Sequence, residues 1–359
     1  MKVWRRLLLA AGVLTAGVAA LELMFGSWLR SNPWDRAFAL NIIVDQTLTF
    51  DATNLYDGGG PVTYTRDRYG LRGHYGRPED ITVLTLGGST TDQRYIADGL
   101  TWQDELERRL RAAGKTVHVA NAGVDGHSSF GHLASYRYWF PLIPGLKPAY
   151  TILYVGINDF FLPTPVVPWE GEATGEVTFE SRIKANSPFY RLYLRLWGTL
   201  VAYRLGLWHT RIDFSRYAPV DAPRMRDHDA AARGPSANFR TRLGSLLNSV
   251  RKAGSVPICV TQPTWYYRVD GDGRVVGLDV DASYEMPVAS YEMNGLDYYL
   301  LRRKLDAVML STCAAAQAPS IDLAVAQWEA ADFYDFVHMT PKGVKKLGGR
   351  IADLMQHLP

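Results

Sequence analysis

Cysteine is nearly missing from this chain of 359 residues, which holds only Cys259 and Cys313. Neither stands in a C-x-x-C pair, so a zinc or thioredoxin-like redox centre has nothing to build on. The two thiols either pair, as an extracytoplasmic location permits, or lie buried and free, and their spacing does not choose between these. Net charge is scarce too: 39 Lys and Arg against 36 Asp and Glu leave +3. Nucleic-acid binders usually carry a basic patch or stripe, so nucleic acid is not an expected partner. Neither an internal repeat nor a low-complexity tract is present, which argues against a solenoid. With 47% hydrophobic and 21% charged residues, the chain can bury a real core, and disorder is not its default state. The length suits one large α/β domain or two small ones. Ten Trp and twenty Tyr can fill a core, line a sugar-binding cleft or sit at a membrane surface.

One long apolar run is present. Lys2, Arg5 and Arg6 precede a stretch from Leu7 to Leu29 in which Glu22 is the only charged residue. About 20 apolar residues cross the hydrocarbon core as a helix. Basic residues before the run set the N-terminus in the cytoplasm and the rest of the chain outside, in the periplasm of a Gram-negative cell. A cleaved signal peptide is the rival, with Leu7–Ala20 as its apolar region and Val18-Ala19-Ala20 before the cut. The run continues past Ala20 for the length a span needs, which favours an uncleaved anchor over residues 1–30. Glu22 is tolerated near the outer interface or against a partner helix, which makes a membrane-protein partner an open possibility.

Residues 31–78 read as a leading segment that packs on the main domain. Asn41–Phe50 forms a strand, Gly58-Gly59-Gly60-Pro61 breaks it, and Val62–Thr65 pairs back as a hairpin. From about 79 to 359 strands and helices alternate. Ile81–Leu86, Thr116–Ala120, Thr151–Val155, Val256–Thr261 and Ser320–Ala324 are the strands. The helices run over Thr101–Ala113, Ser128–Phe140, Ser236–Ala253 with Ser236 as its cap, Gly295–Ala316 and Lys342–His357. Repeated β-α units imply a parallel sheet covered by helices on both faces. The expected class is α/β: a flavodoxin-like three-layer α/β/α domain with a five-stranded parallel sheet, plus the N-terminal transmembrane helix. An insertion at about 160–235 separates strands three and four. It opens on Pro163, Pro165 and Pro168, and its Phe189–Trp208 stretch suits an amphipathic helix on the domain or on the membrane.

Three polar motifs follow three successive strands: Gly87-Gly88-Ser89-Thr90, Asn121-Ala122-Gly123 and Gly156-Ile157-Asn158-Asp159. In a parallel α/β sheet the ligand site lies beyond the carboxyl ends of the strands, so all three converge on one edge. Acyl transfer needs a nucleophile, a base, an orienting group and donors for the oxyanion. Ser89 sits where a glycine pair permits a tight turn and close backbone approach. Taken alone, Gly-Gly-Ser-Thr fits a phosphate nest or a helix cap equally well. Asp335-Phe336-Val337-His338 spaces a carboxylate and an imidazole for one side of a turn. Asn158 also suits an Asx turn, and Asp159 a purely structural role. Surface or core positions are expected for His74, His118, His127, His132, His209, His228 and His357, with His127 and His132 as alternative pocket residues. Gln262–Tyr267 follows strand four on the same edge and is expected to line the cleft, with aromatic packing under the insertion as the alternative.

In these blocks the chain resembles the SGNH (GDSL-type) hydrolase superfamily. Gly87-Gly88-Ser89 matches its first block with Gly in place of the commoner Asp. Gly123 matches the second, Gly156-x-Asn158-Asp159 the third and Asp335-x-x-His338 the last, over about residues 79–359. The resemblance implies Ser89 as nucleophile, His338 as base and Asp335 as its partner. It further implies an oxyanion hole from the Ser89 and Gly123 N–H groups and the Asn158 amide, with no cofactor and no metal. The expected function is hydrolysis of a carboxylic ester, with O-acetyl groups of an extracytoplasmic glycan as a candidate substrate. Acyl transfer to glycan by the same triad is the first alternative. A non-catalytic anchored accessory subunit is the second.

Overall fold

A computed structural model of the chain describes residues 2–26, 28, 33–159, 186–190, 192, 193, 196, 197, 200, 209–282 and 292–358. Helix α1 (Lys2–Phe25) is exposed from Trp4 onward except at Glu22, and is long and apolar enough to cross a bilayer. Glu22 accepts hydrogen bonds from Trp28 Nε1 at 2.8 Å and from Ser187 Oγ at 2.6 Å. A short helix α2 (Asp35–Phe38) follows. Strands β1 (Gln46–Asp51) and β2 (Pro61–Arg66) then form the expected antiparallel hairpin, with Leu48 opposite Tyr64. The first strand starts later than the apolar pattern suggests, and the second extends one residue beyond the expected Val62–Thr65 at each end. Asn41 and Asp45 are left-handed and turn the chain before β1, while Val62, Tyr64 and Arg66 of β2 alternate inward and bury against the main domain.

The main domain runs β3 (Val83–Gly87), α3 (Ser89–Asp92), α4 (Trp102–Ala112), β4 (Val119–Asn121), α5 (Ser129–Tyr138) and β5 (Tyr150–Tyr154). After the insertion come β6 (Pro219–Val220), α6 (His228–Lys252), β7 (Val256–Val260), β8 (Tyr267–Val269) and β9 (Val275–Leu278). Helix α7 (Gly295–Ala315), β10 (Ser320–Ile321) and α8 (Pro341–Gln356) close the chain. Five strands form one sheet in the order β10-β7-β5-β3-β4, every pair parallel. This is the flavodoxin-like order, with a switch point between β3 and β5 where the chain reverses its direction across the sheet. Strand β3, between β5 and β4 inside the sheet, is buried along its whole length, as a strand covered on both faces must be. Helix α4 packs on α8, while α6 packs on both α5 and α7. Cys259 on β7 and Cys313 on α7 form a disulfide that fastens helix to sheet.

Two elements depart from the sequence pattern. Helix α6 begins at His228 rather than after Ser236, and Pro235 lies inside it. Asp227 is its cap, accepting from the Ala230 N–H at 2.8 Å, so a good cap and three alanines outweigh the proline. A small antiparallel sheet, β6-β9-β8, was not visible in the sequence because its strands are two to four residues long. It joins the end of the insertion to the segment after β7. The Pro163–Pro168 stretch and much of Phe189–Trp208 lie outside the described residues. Within 186–200 the described residues are helical apart from Ser187, and Phe189, Leu192, Tyr193, Leu196, Trp197 and Leu200 are exposed.

Candidate active site

Strand β3 delivers Ser89 to the carboxyl edge through two glycines that have no room for side chains. A Cβ on Gly87 would lie 2.4 Å from the Tyr154 carbonyl oxygen on β5. One on Gly88 would meet Asn158 Nδ2 at 2.5 Å and the His127 carbonyl at 3.0 Å. The close approach, rather than an unusual φ, is what requires Gly88, whose φ is −86°. Ser89 is half-buried at the first position of α3, where its N–H has no partner within the helix.

The loop before α8 brings Asp335 and His338 to the same place. A bridge between Phe333 and Met339 closes it as a tight hairpin, and Tyr334 N–H donates to the His338 carbonyl at 3.0 Å. Asp335 Oδ1 accepts the Val337 N–H at 2.9 Å and the His338 N–H at 2.7 Å. Its Oδ2 is 2.8 Å from His338 Nδ1, and His338 Nε2 is 2.8 Å from Ser89 Oγ. Burial pushes the Asp335 carboxyl up, but the charge of His338 and the hydrogen bonds prevail, holding it below the ordinary carboxylate range. A carboxylate only accepts, so Nδ1 carries the proton and Nε2 is left to accept from the Ser89 hydroxyl. Such a chain can deprotonate a serine as it attacks a carbonyl and return the proton to the leaving group.

The donors divide differently from the sequence reading. Gly123 is buried, and its N–H donates to Asn121 Oδ1 at 2.8 Å while its carbonyl accepts from Arg66 at 2.6 Å. A Cβ there would lie 2.3 Å from the Asp92 nitrogen, so this glycine lets the loop press against α3 rather than offering a donor. Gly126 follows in the same loop, half-exposed at φ 77°, and makes no hydrogen bond among the described residues. Asn158 reaches the site: its amide lies against Gly88 and donates to the His127 carbonyl at 2.8 Å, which leaves its second N–H. Asp159 is buried and accepts the Ser129 N–H at 3.0 Å, with Arg242 Nη2 at 3.4 Å. It fastens the start of α5 to β5.

The Gln262–Tyr267 stretch is core rather than cleft wall. Trp265, Tyr266 and Tyr267 are buried, and Tyr266 stacks on Phe336 with ring centroids 4.3 Å apart. Trp265 N–H donates to the Phe336 carbonyl at 2.7 Å, so the segment backs the Asp335 loop from behind. Gln262 bridges β5 and α3, accepting the Ile157 N–H at 2.7 Å and donating to Thr90 Oγ1 at 2.8 Å. His127 and His132 are buried beside each other with lowered pKa values, caused first by burial. A narrow cavity next to Ser89 is lined by Tyr95, Ile96, Tyr334 and Val337, along with His338.

Two features escaped the sequence. His209 lies over His338 with ring centroids 4.2 Å apart, and nothing in its local pattern marks it. Arg66, from the leading hairpin, is buried beneath the site, where it pairs with Asp92 and donates to the Asn121 carbonyl at 3.0 Å. Ligand atoms of His209, Asp335 and His338 all lie within 4.8 Å of one another. Ligands around a tetrahedral zinc stand roughly 3.3 Å apart, given bonds of about 2.0 Å. The 2.8 Å between His338 and Asp335 is too short for that and fits a hydrogen bond.

The GDSL-like Lipase/Acylhydrolase family matches residues 85–346 of the chain. No curated protein matches it. Among solved structures, TesA is similar at 15% identity with a TM-score of 0.41, covering 77% of this chain and 99% of its own. The acetyl xylan esterase AlAXEase is similar at 13% identity and TM-score 0.40, covering 77% and 98%. Est24, a carbohydrate acetylesterase from Sinorhizobium meliloti, is similar at 12% identity and TM-score 0.40, covering 78% and 100%.

Proposed function

Because the chain belongs to the GDSL-like lipase/acylhydrolase family, a family of ester hydrolases, we propose that it is a serine esterase with Ser89 as its nucleophile. One observation carries this reading: Ser89 Oγ, His338 and Asp335 form an unbroken chain of two 2.8 Å contacts. His338 takes the serine proton as the ester carbonyl is attacked, and Asp335 stabilises the imidazolium that results. The oxyanion meets the Ser89 N–H and the Asn158 amide, and the Gly126 N–H takes the role that Gly123 cannot fill. The alcohol then leaves with the proton from His338, and water resolves the acyl-enzyme by the reverse path.

The narrow cavity beside Ser89 suits a short acyl group. We infer an O-acetyl ester of an extracytoplasmic glycan as the substrate class. Helix α1 is the anchor in this reading, with the N-terminus cytoplasmic and the domain periplasmic. The exposed aromatic and aliphatic residues between 189 and 200 follow directly on Ser187, which bonds Glu22 of the anchor. That proximity suits a second element lying at the membrane surface.

The test is hydrolysis of a small aryl acetate by the full chain in detergent. Wild type is expected to turn over, and Ser89→Ala to lose at least about 1,000-fold in kcat. Equal activity in the two removes the assignment. Supplying an acetyl donor together with a glycan acceptor separates the two outcomes of the acyl-enzyme: acetylated glycan means transfer, free acetate means hydrolysis.

A further inference from the structure

A single hydrogen bond to Asp335 does not fix the plane of the His338 ring, because the χ2 torsion of histidine is broad. Something must hold that ring where Nδ1 meets Asp335 and Nε2 meets Ser89 at once. His209 is the group in contact. Its ring lies 4.2 Å from that of His338 at an interplanar angle of 47°. His209 Nδ1 is 2.7 Å from the Tyr334 hydroxyl, and Tyr334 itself stacks near-parallel on His338, 11° apart in plane. On its other flank His209 meets the Tyr95 ring at 4.7 Å.

We propose that His209 is a positioning residue for His338: its ring closes one face of the imidazole and, held by Tyr334, keeps that imidazole in the plane that reaches both Asp335 and Ser89. This rests on the serine-esterase reading above. The chemistry of the neighbours agrees with it. Burial holds the Tyr334 hydroxyl far above its usual range, so it stays protonated and donates to His209 Nδ1. His209 is lowered to about 4, first by burial and then by the charge of His338. It therefore stays neutral at working pH and adds no positive charge beside the imidazolium that forms during acyl transfer. The chain that follows His209 is fixed to the same loop. Ile212 N–H donates to the Tyr334 carbonyl at 2.7 Å, and Phe214 packs on Phe336 at 5.7 Å. The insertion thus delivers one ring onto the base, and His209 does not line the cavity beside Ser89.

The experiment measures kcat and KM for a small aryl acetate with the full chain, each value normalised to the fraction of Ser89 that reacts with a fluorophosphonate. His209→Ala is expected to lower kcat by roughly 10- to 50-fold, as for a misplaced catalytic group, with KM within about 2-fold. His209→Phe, which restores a ring, is expected to recover kcat to within about 3-fold of wild type. Tyr334→Phe, which removes the same hydrogen bond as His209→Phe, is expected to lower kcat by about 3-fold and to add no further loss on top of His209→Ala. A kcat for His209→Ala within 2-fold of wild type overturns the proposal, as does a raised KM at unchanged kcat, or losses that multiply in the double variant. Should His209→Ala fail to fold and label, Tyr334→Phe decides alone, and an unchanged kcat there also overturns it. Inactive wild type would instead defeat the esterase reading, so the two failures are distinguishable.

Discussion

At Gly88 a side chain has no room, and this explains a departure from the commoner family pattern, which carries Asp there. The Asn158 amide occupies the space a Cβ would need, 2.5 Å away. Gly88→Asp therefore does not restore a family feature in this chain; it displaces the Asn158 amide, the oxyanion donor in the proposed mechanism. Loss of one such donor costs about 100- to 1,000-fold in kcat, and partial displacement should cost at least roughly 10-fold. Steady-state kinetics on an aryl acetate check this, and an aspartate variant as active as wild type would show that Asn158 is free to move. Gly123 teaches the same lesson in reverse. It is glycine because α3 presses on it, with its N–H turned inward to Asn121.

Among the elements, the β1-β2 hairpin has the largest consequence outside the α/β domain. It inserts Arg66 under the loops that carry Ser89 and Gly123. There the guanidinium meets Asp92, Tyr64, and the carbonyls of Gly70, Asn121 and Gly123. Burial alone would push the Asp92 carboxyl up, yet the charge of Arg66 prevails and holds it below the usual range. Removing one partner of a buried pair leaves the other uncompensated, at about 3–5 kcal/mol. Arg66→Ala should lower the stability seen in urea denaturation by about that amount. A loss under about 1 kcal/mol would mean that Arg94 and Arg72, which also neighbour Asp92, take over. The leading segment is in this sense part of the site's foundation.

For the whole molecule, pH is the informative variable. His127 and His209 are lowered to about 4 and His132 well below its usual value, burial being the first cause in each. Unfolded, these histidines take up protons near pH 6.5, while the folded chain resists doing so. Stability should therefore fall as pH drops from about 6.5 toward 4, by up to about 1.4 kcal/mol per pH unit for each histidine. Burial pushes Asp306 up to about 6 and raises Asp159, so both bind protons in the folded state and offset part of the loss. Asp92 acts lower, its contribution being lost as pH falls below the ordinary carboxylate range. Thermal denaturation at fixed ionic strength, scanned from pH 7.5 to 4, should show a falling midpoint. A flat profile would mean that the buried histidines are solvated.

By itself, the sequence determined the alternation of strand and helix, the convergence of three motifs on one sheet edge, and the Asp335/His338 spacing. These are local patterns: apolar runs of strand length, helix periodicity, and polar residues directly after strands. It also located the apolar N-terminal helix from length and composition. Only the tertiary structure decided that Cys259 meets Cys313, that Gly123 turns its N–H inward, and that Gln262–Tyr267 is core. The disulfide and the burial of Gln262–Tyr267 depend on contacts between segments far apart in the chain, and the Gly123 bond to Asn121, though local, is set by the packing of α3 on that loop; none of these leaves a periodic mark. His209 is the clearest case: it stands 129 positions before His338, and only packing brings the two rings to 4.2 Å.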